Sequence, residues 1–193
     1  MLLFLDVDGT LIPFGAERPY PLYEPPAELP GPPAHPLLTR VDPALGARLS
    51  RLAALGCELV WATTWLDDAN TVIAPWLGLP PLPLVDWPDE GAEPSLEPRA
   101  RHWKTGPLVA WAAGRPFVWV DDEITDADRD WVAAHHFSSP AGEAEPAQRP
   151  EPASTDSPAP ALLHRVDHRC GLTDRDFAVL AEWITAASGP AAR

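Results

Sequence analysis

Leu2-Leu3-Phe4-Leu5-Asp6-Val7-Asp8-Gly9-Thr10 opens the chain with a hydrophobic run that ends in two carboxylates and a turn. Apolar residues bounded by Asp-Gly read as a buried parallel strand. In an open α/β sheet the carboxyl end of such a strand faces the ligand crevice. Asp6 and Asp8 placed there repel each other, by about 4 kcal/mol for a close pair at an effective dielectric near 20. A divalent, oxygen-seeking cation removes that cost, and magnesium is the usual choice where phosphate also enters. Gly9 allows the sharp turn, and Thr10 can hydrogen-bond back to fix it. A solvated Asp-Gly turn is the plainer reading of these nine residues alone, and it loses ground as the rest of the chain is read.

Outward from that strand, strand and helix patterns alternate, which argues for a parallel sheet with helices on both faces. Residues 13–43 hold ten prolines and read as a loop over the mouth of the crevice. Asp42-Pro43 start a helix with Leu45, Leu49, Leu52 and Leu55 on one stripe, and Gly56 stops it. Glu58 to Thr63 is a second strand. Helical spacing returns with Ala69, Val72, Ile73, Trp76 and Leu77. Leu82 to Val85 reads as a short strand among prolines, and 86–101 as an acidic, irregular stretch. A helix over about 103–113 leads into the strand Pro116 to Val120, which also runs into paired carboxylates, Asp121-Asp122. A further helix starts near Thr125 or Asp126. Residues 137–160 are rich in Pro, Ala, Ser and Glu and read as a disordered insertion. Ala161 to Val166 is the last strand, and Thr173 to Ala187 a closing helix with Phe177, Leu180, Ala181 and Ile184 inward. The expected fold is a Rossmann-like three-layer α/β sandwich with a mostly parallel sheet of about five strands, in one domain over 1–193.

Composition narrows the classes of function. The 193 residues suffice for one domain with a substantial core, and 26 prolines demand stiff loops between compact elements. A formal charge of −14 disfavours tight binding to polyanions, so nucleic acid is an unfavoured partner on charge alone, although a local patch outweighs a net value. Cys57 and Cys170 have no metal-like or redox spacing and read as reduced thiols. No leader or membrane span is legible, and the expected location is cytoplasmic.

Four features converge on strand ends or helix starts: Asp6 and Asp8, Thr63, Lys104, and Asp121-Asp122. In this order and spacing the chain resembles the haloacid dehalogenase-like (HAD) superfamily of phosphohydrolases, whose motifs are Asp-x-Asp-x-Thr, a hydrophobic run ending in Thr or Ser, a Lys, and an acidic pair. The resemblance runs from Leu2 to about Trp131. It implies a magnesium-dependent phosphatase with Asp6 as nucleophile and Asp8 as general acid and base. It also implies a metal held by Asp6, the backbone carbonyl of Asp8, and Asp122, while Asp121 orients Lys104 or a water on the metal. Thr63 and Lys104 would grip the phosphoryl oxygens. Thr64 follows directly, and Thr63 is preferred because the hydrophobic run ends there. Asp126 is a candidate outer acid.

Lys104 is the single lysine against thirteen arginines, which invites a specific role for a compact ammonium. Trp65 and Trp103 flank site residues and read either as core or as platforms for a substrate. His135-His136 read as caps at a helix end, and His164 with His168 straddle a strand end rather than form a metal pair. Neither interval where relatives carry a cap domain has room for a full one, so the chain resembles a capless member. The Trp-Ala-Thr-Thr-Trp stretch is similar to phosphatase domains of nucleic-acid repair proteins. The expected substrate is a phosphorylated small molecule or macromolecule. A polynucleotide-end phosphatase and a non-catalytic phosphate- or partner-binding protein stand as alternatives.

Overall fold

Four short apolar strands, all parallel, form the sheet of this computed structural model, which describes residues 1–27, 29, 35–87, 101–137 and 159–188. Strand β1 (Leu2–Leu5) is buried along its whole length. Helix α1 (Ala44–Ala53) follows a short 3-10 turn at Pro36–Arg40 and carries Leu45, Leu49 and Leu52 inward. Asp42 caps its start by accepting from the Ala44 N–H at 2.9 Å. Leu55, expected on the same stripe, lies past the helix end and is exposed.

Strand β2 (Glu58–Trp61) leads into a π-helical turn at Ala69–Ile73 and then α2 (Ala74–Leu77). Pro75 has no N–H, so a regular ladder cannot run through it, and the wider turn precedes it. Helix α3 (Thr105–Ala112), strand β3 (Phe117–Asp121), helix α4 (Asp126–His135), strand β4 (Ala161–Arg165) and helix α5 (Asp174–Ala187) complete the order.

The strands lie in the order β2-β1-β3-β4, with Leu5 opposite both Trp61 and Val120. Alternation along each strand splits the core into two layers. Leu3, Leu5, Val118 and Val120 pack with Leu49, Trp76, Leu180 and Ile184 of α1, α2 and α5. Leu2, Phe4, Phe117 and Trp119 pack with Leu108, Ala112 and Val132 of α3 and α4. The architecture is thus a parallel α/β sheet with helices on both faces.

The strand expected at Leu82–Val85 is reduced to one parallel bridge, Trp61 to Leu84, which leaves a sheet of four strands. Pro80, Pro81 and Pro83 remove the donors a ladder needs. Asn70 pins this segment instead, bonding both the N–H and the C=O of Leu82 at 2.8 Å. The readings for 138–158, most of the 137–160 insertion, and for 88–100 lie outside the described residues.

Cys57 is buried and Cys170 exposed, and neither is in a disulfide. Among the described residues no helix is long and apolar enough to cross a membrane. From β1 the chain moves to β2 on one side, then passes to β3 on the other. A crevice therefore opens at the carboxyl ends of β1 and β3.

Candidate active site

Past β1 the chain folds into a tight loop whose centre is the carbonyl of Val7. That carbonyl accepts from the N–H groups of Thr10, Leu11 and Ile12 at 3.3, 2.8 and 2.9 Å, and Gly9 N–H bonds Ile12 O at 2.9 Å. Backbone, not the Thr10 side chain, fixes this turn. The Thr10 hydroxyl is buried without a hydrogen-bond partner among the described residues, contrary to the expectation that it bonds back to the loop.

Gly9 adopts φ +75°, and a Cβ there would stand 2.3 Å from Asp122 Cγ. The Asp122 carboxylate thus lies against the bare Cα of Gly9. Only glycine permits both the turn and this approach.

Asp6 leaves the end of β1 with its Oδ1 accepting from Lys104 Nζ at 2.7 Å. The same ammonium donates to Asp121 Oδ2 at 2.8 Å, and all three side chains are buried. Asp121 is fully engaged, because its Oδ2 also accepts from Trp119 Nε1 at 3.2 Å and its Oδ1 from the Glu123 N–H at 2.9 Å. Asp122 differs, since among the described residues no side chain donates to its carboxylate. Its backbone carbonyl is held by Arg165 Nε at 2.9 Å from the end of β4.

The electrostatics follow from this crowding. Burial pushes the Asp6 carboxyl up, Lys104 pulls it down and Asp121 pushes it up again, leaving it at about 8. Burial raises Asp122 too, helped by Asp121 and then Glu123. For Lys104 burial works against the charge, but Asp6 and Asp121 outweigh it and keep the ammonium protonated.

One oxygen each from Asp6, Asp121 and Asp122 lie within 4.8 Å of one another. Three carboxylates facing one ammonium leave an excess of negative charge, and the oxygen donors suit a hard divalent cation. Asp6 and Asp122 would hold it, with Asp121 already committed to Lys104.

These groups open on a cavity of about 230 Å³ lined by Asp6, Asp8, Phe14, Thr64, Trp103, Lys104, Asp122 and Glu123. Of the two candidate threonines, Thr64 is exposed and lines the cavity. Thr63 is buried, with its hydroxyl 3.3 Å from the Trp65 N–H that donates to it. Thr64, rather than the preferred Thr63, is thus the threonine that lines the cavity. The strand ends at Trp61, two residues before the hydrophobic run suggests.

Asp126, the candidate outer acid, is not among the residues that line the cavity. Its side chain is exposed and pairs with Arg129 on α4.

Two sets of contacts escape a sequence reading. Trp65 Nε1 donates to Asp8 Oδ2 at 2.9 Å, with His35 packed edge-on against its ring. Asp128, fully buried, joins the starts of α3 and α4. It accepts from the His102 N–H at 2.7 Å, Thr105 Oγ1 at 2.6 Å and Thr125 at 2.7 and 2.8 Å, in the capping box of α4. The Thr-x-x-Asp spacing of Thr125 and Asp128 signals that box, but not its reach to α3.

Burial alone would raise the Asp128 carboxyl, yet the bonds from Thr105, Thr125 and His102 hold it below the usual range. A lowered native value gives stability that is present above the unfolded value near 4 and is lost as pH falls below it. Asp128→Ala is expected to remove about 3 kcal/mol, a fall in Tm of about 6–12 °C for a domain of this size. In Asp128→Asn this share of the acid-induced loss should vanish, which thermal melts between pH 3 and pH 7 would read.

The histidines make contacts of their own. His164 Nε2 bonds Asp176 at 2.8 Å and ties β4 to α5, and His168 stacks on Phe14. His135 caps the Trp131 carbonyl at 2.8 Å, whereas the His136 ring is buried against Phe117 and does not serve as a side-chain cap.

The sequence matches the family described as the HAD domain in Swiss Army Knife RNA repair proteins over residues 2–142. Comparison with curated proteins and with solved structures gave no match. With the match spanning more than half of its length, from β1 through the acidic pair after β3, the chain belongs to the family of HAD domains found in Swiss Army Knife RNA repair proteins.

Proposed function

We propose that the protein is a magnesium-dependent phosphomonoesterase that removes terminal phosphate from RNA through an aspartyl-phosphate on Asp6. The observation that carries this reading is the Lys104 bridge between Asp6 and Asp121, with Asp122 set against Gly9 beside it. The RNA-repair family supports the substrate class. Magnesium, when bound by Asp6, Asp122 and the Asp8 carbonyl, supplies positive charge to the phosphoryl oxygens.

A carboxylate oxygen of Asp6 attacks phosphorus, and the ester oxygen leaves with a proton from Asp8. Water then attacks the aspartyl-phosphate while Asp8 takes its proton, which frees phosphate and restores Asp6. Lys104 neutralises charge on the transferring group, and Asp121 keeps that ammonium in place. Thr64 offers a hydroxyl to the phosphoryl oxygens. The described part of 13–43 adds Phe14 to the cavity wall and His35 behind Trp65, and we read the site as open, without a cap domain.

Phosphate release from an aryl phosphate should need magnesium and stop with EDTA. Release unaffected by EDTA would overturn the metal assignment.

Trp65 positions Asp8 for proton delivery, and its loss should depend on the leaving group. A poor leaving group needs the proton, and a good one does not. Trp65→Phe keeps the ring beside His35 but deletes the N–H. With an alkyl phosphate, kcat should fall about 10-fold, the value of one hydrogen bond to a charged group. With p-nitrophenyl phosphate it should change less than about threefold. Equal losses on both substrates would mean that Trp65 only supports the fold.

A further inference from the structure

We propose that Trp103 and Phe14 form a stacking subsite for a single nucleobase, so that the enzyme grips the terminal phosphate and one base and nothing further along the strand. This rests on the phosphatase reading above and specifies its substrate. Trp103 is 49% exposed and Phe14 43%, while Trp61, Trp76 and Trp119 are at most 1% exposed in the core. Both exposed rings line the same cavity as Asp6, Asp8 and Lys104. Neither is loosely held. Trp103 leans edge-on against Trp87, with ring centres 4.8 Å apart, and packs beside His102 at 5.6 Å. Phe14 stacks on His168 at 5.0 Å, and its N–H bonds the His168 carbonyl at 2.8 Å. Rings fixed in advance lose little freedom when a base stacks on them.

Size and charge set the footprint. A cavity of about 230 Å³ is smaller than the usual range for a whole organic ligand, so we place the phosphate inside it and the base against the two exposed rings of its lining. Lys104 Nζ lies 5.8 Å from the centre of the Trp103 ring, which puts that ring beside the phosphate position. Among the described residues Lys104 is the one cation in the lining, against Asp6, Asp8, Asp122 and Glu123. Proteins that follow a strand need a positively charged groove as well as stacking. This lining can neutralise one phosphate, and its four carboxylates repel the next. A stacking site with no basic track among the described residues of its lining recognises an end rather than a strand.

The test compares kcat/KM for nucleoside monophosphates, ribose phosphate, p-nitrophenyl phosphate and end-phosphorylated di- and tetranucleotides. The parent protein should favour a nucleoside monophosphate over ribose phosphate by about 10-fold or more, the range of one base–aromatic stack. Trp103→Ala and Phe14→Ala should shrink that ratio through KM, whatever change the two substrates share, and Trp103→Phe should restore most of it. Chain length beyond the terminal nucleotide should add little. Turnover of ribose phosphate with no base preference sinks the subsite and leaves the phosphatase reading standing. The same is true of a ratio unmoved by Trp103→Ala or of affinity that climbs with each added nucleotide. No turnover of any of these substrates by the parent sinks both.

Discussion

Asp6→Asn should abolish phosphate release, by on the order of 10⁴-fold or more, while making the metal-free protein more stable. The loss is large because phosphate monoesters are among the slowest substrates to hydrolyse unaided, and the amide can neither attack nor leave as a carboxylate does. The fold should survive, since Asn keeps the oxygen that accepts from Lys104, and Asp121 still holds the ammonium.

The gain in stability follows from the sign of the shift. Burial, opposed by Lys104 and reinforced by Asp121, raises Asp6 to about 8 in the native state. The unfolded value is about 4, so between about pH 4 and pH 8 the native protein retains a proton that the unfolded chain has released. Stability therefore falls as pH rises through that window. Asn has no such dependence. In EDTA the Tm of the variant should exceed that of the parent by a margin that widens from pH 5 to pH 8. About 1 kcal/mol moves Tm by 2–4 °C at this size. A margin that narrows over the same range would contradict the account of why the site needs a cation.

Gly9→Ala should cost activity and the response to magnesium together. The added methyl would occupy the space of the Asp122 carboxylate, 2.3 Å from its Cγ and 2.5 Å from both oxygens, at a backbone angle of φ +75°. Asp122 must move, and its carbonyl is tethered by Arg165, so the carboxylate cannot follow the backbone freely. The left-handed conformation adds about 1–2 kcal/mol of backbone strain. Turnover should fall by about 10²–10³-fold, the order of losing several kcal/mol of transition-state stabilisation. The rise in Tm on adding magnesium to the parent should disappear, because that rise measures binding to the native state.

Gly56→Ala supplies the comparison. Gly56 also has positive φ, at +98°, but a Cβ there meets nothing within 4 Å, and it precedes β2 at the opposite end of the sheet from the site. It should lose stability of the same order and keep both turnover and the magnesium response. Equal behaviour of the two variants would mean that backbone strain, not the displacement of Asp122, is responsible.

The sheet and the placement of Asp6, Lys104, Asp121 and Asp122 were legible because each depends on local pattern. A short apolar strand that runs into carboxylates can only point them at the end of a parallel sheet. What was not legible depends on contacts distant in sequence. Trp65 meets Asp8 across 57 positions, and Asp128 reaches Thr105 across 23. Asp126 and Asp128 are alike by type and spacing, and only the capping geometry turns one inward and leaves the other exposed. That Thr64 and not Thr63 lines the cavity was not legible, because the strand ends at Trp61, two residues before Thr63. The segment at Leu82 failed as a strand for a reason already present in its three flanking prolines.

The aspartyl-phosphate itself is the central claim, and acid quenching of the protein during turnover tests it most directly. Peptide mapping should find a phosphoryl group on Asp6, labile to hydroxylamine and absent when magnesium is withheld. A protein that turns over phosphate esters with no phosphoryl on Asp6, and keeps that turnover in Asp6→Asn, would contradict the account.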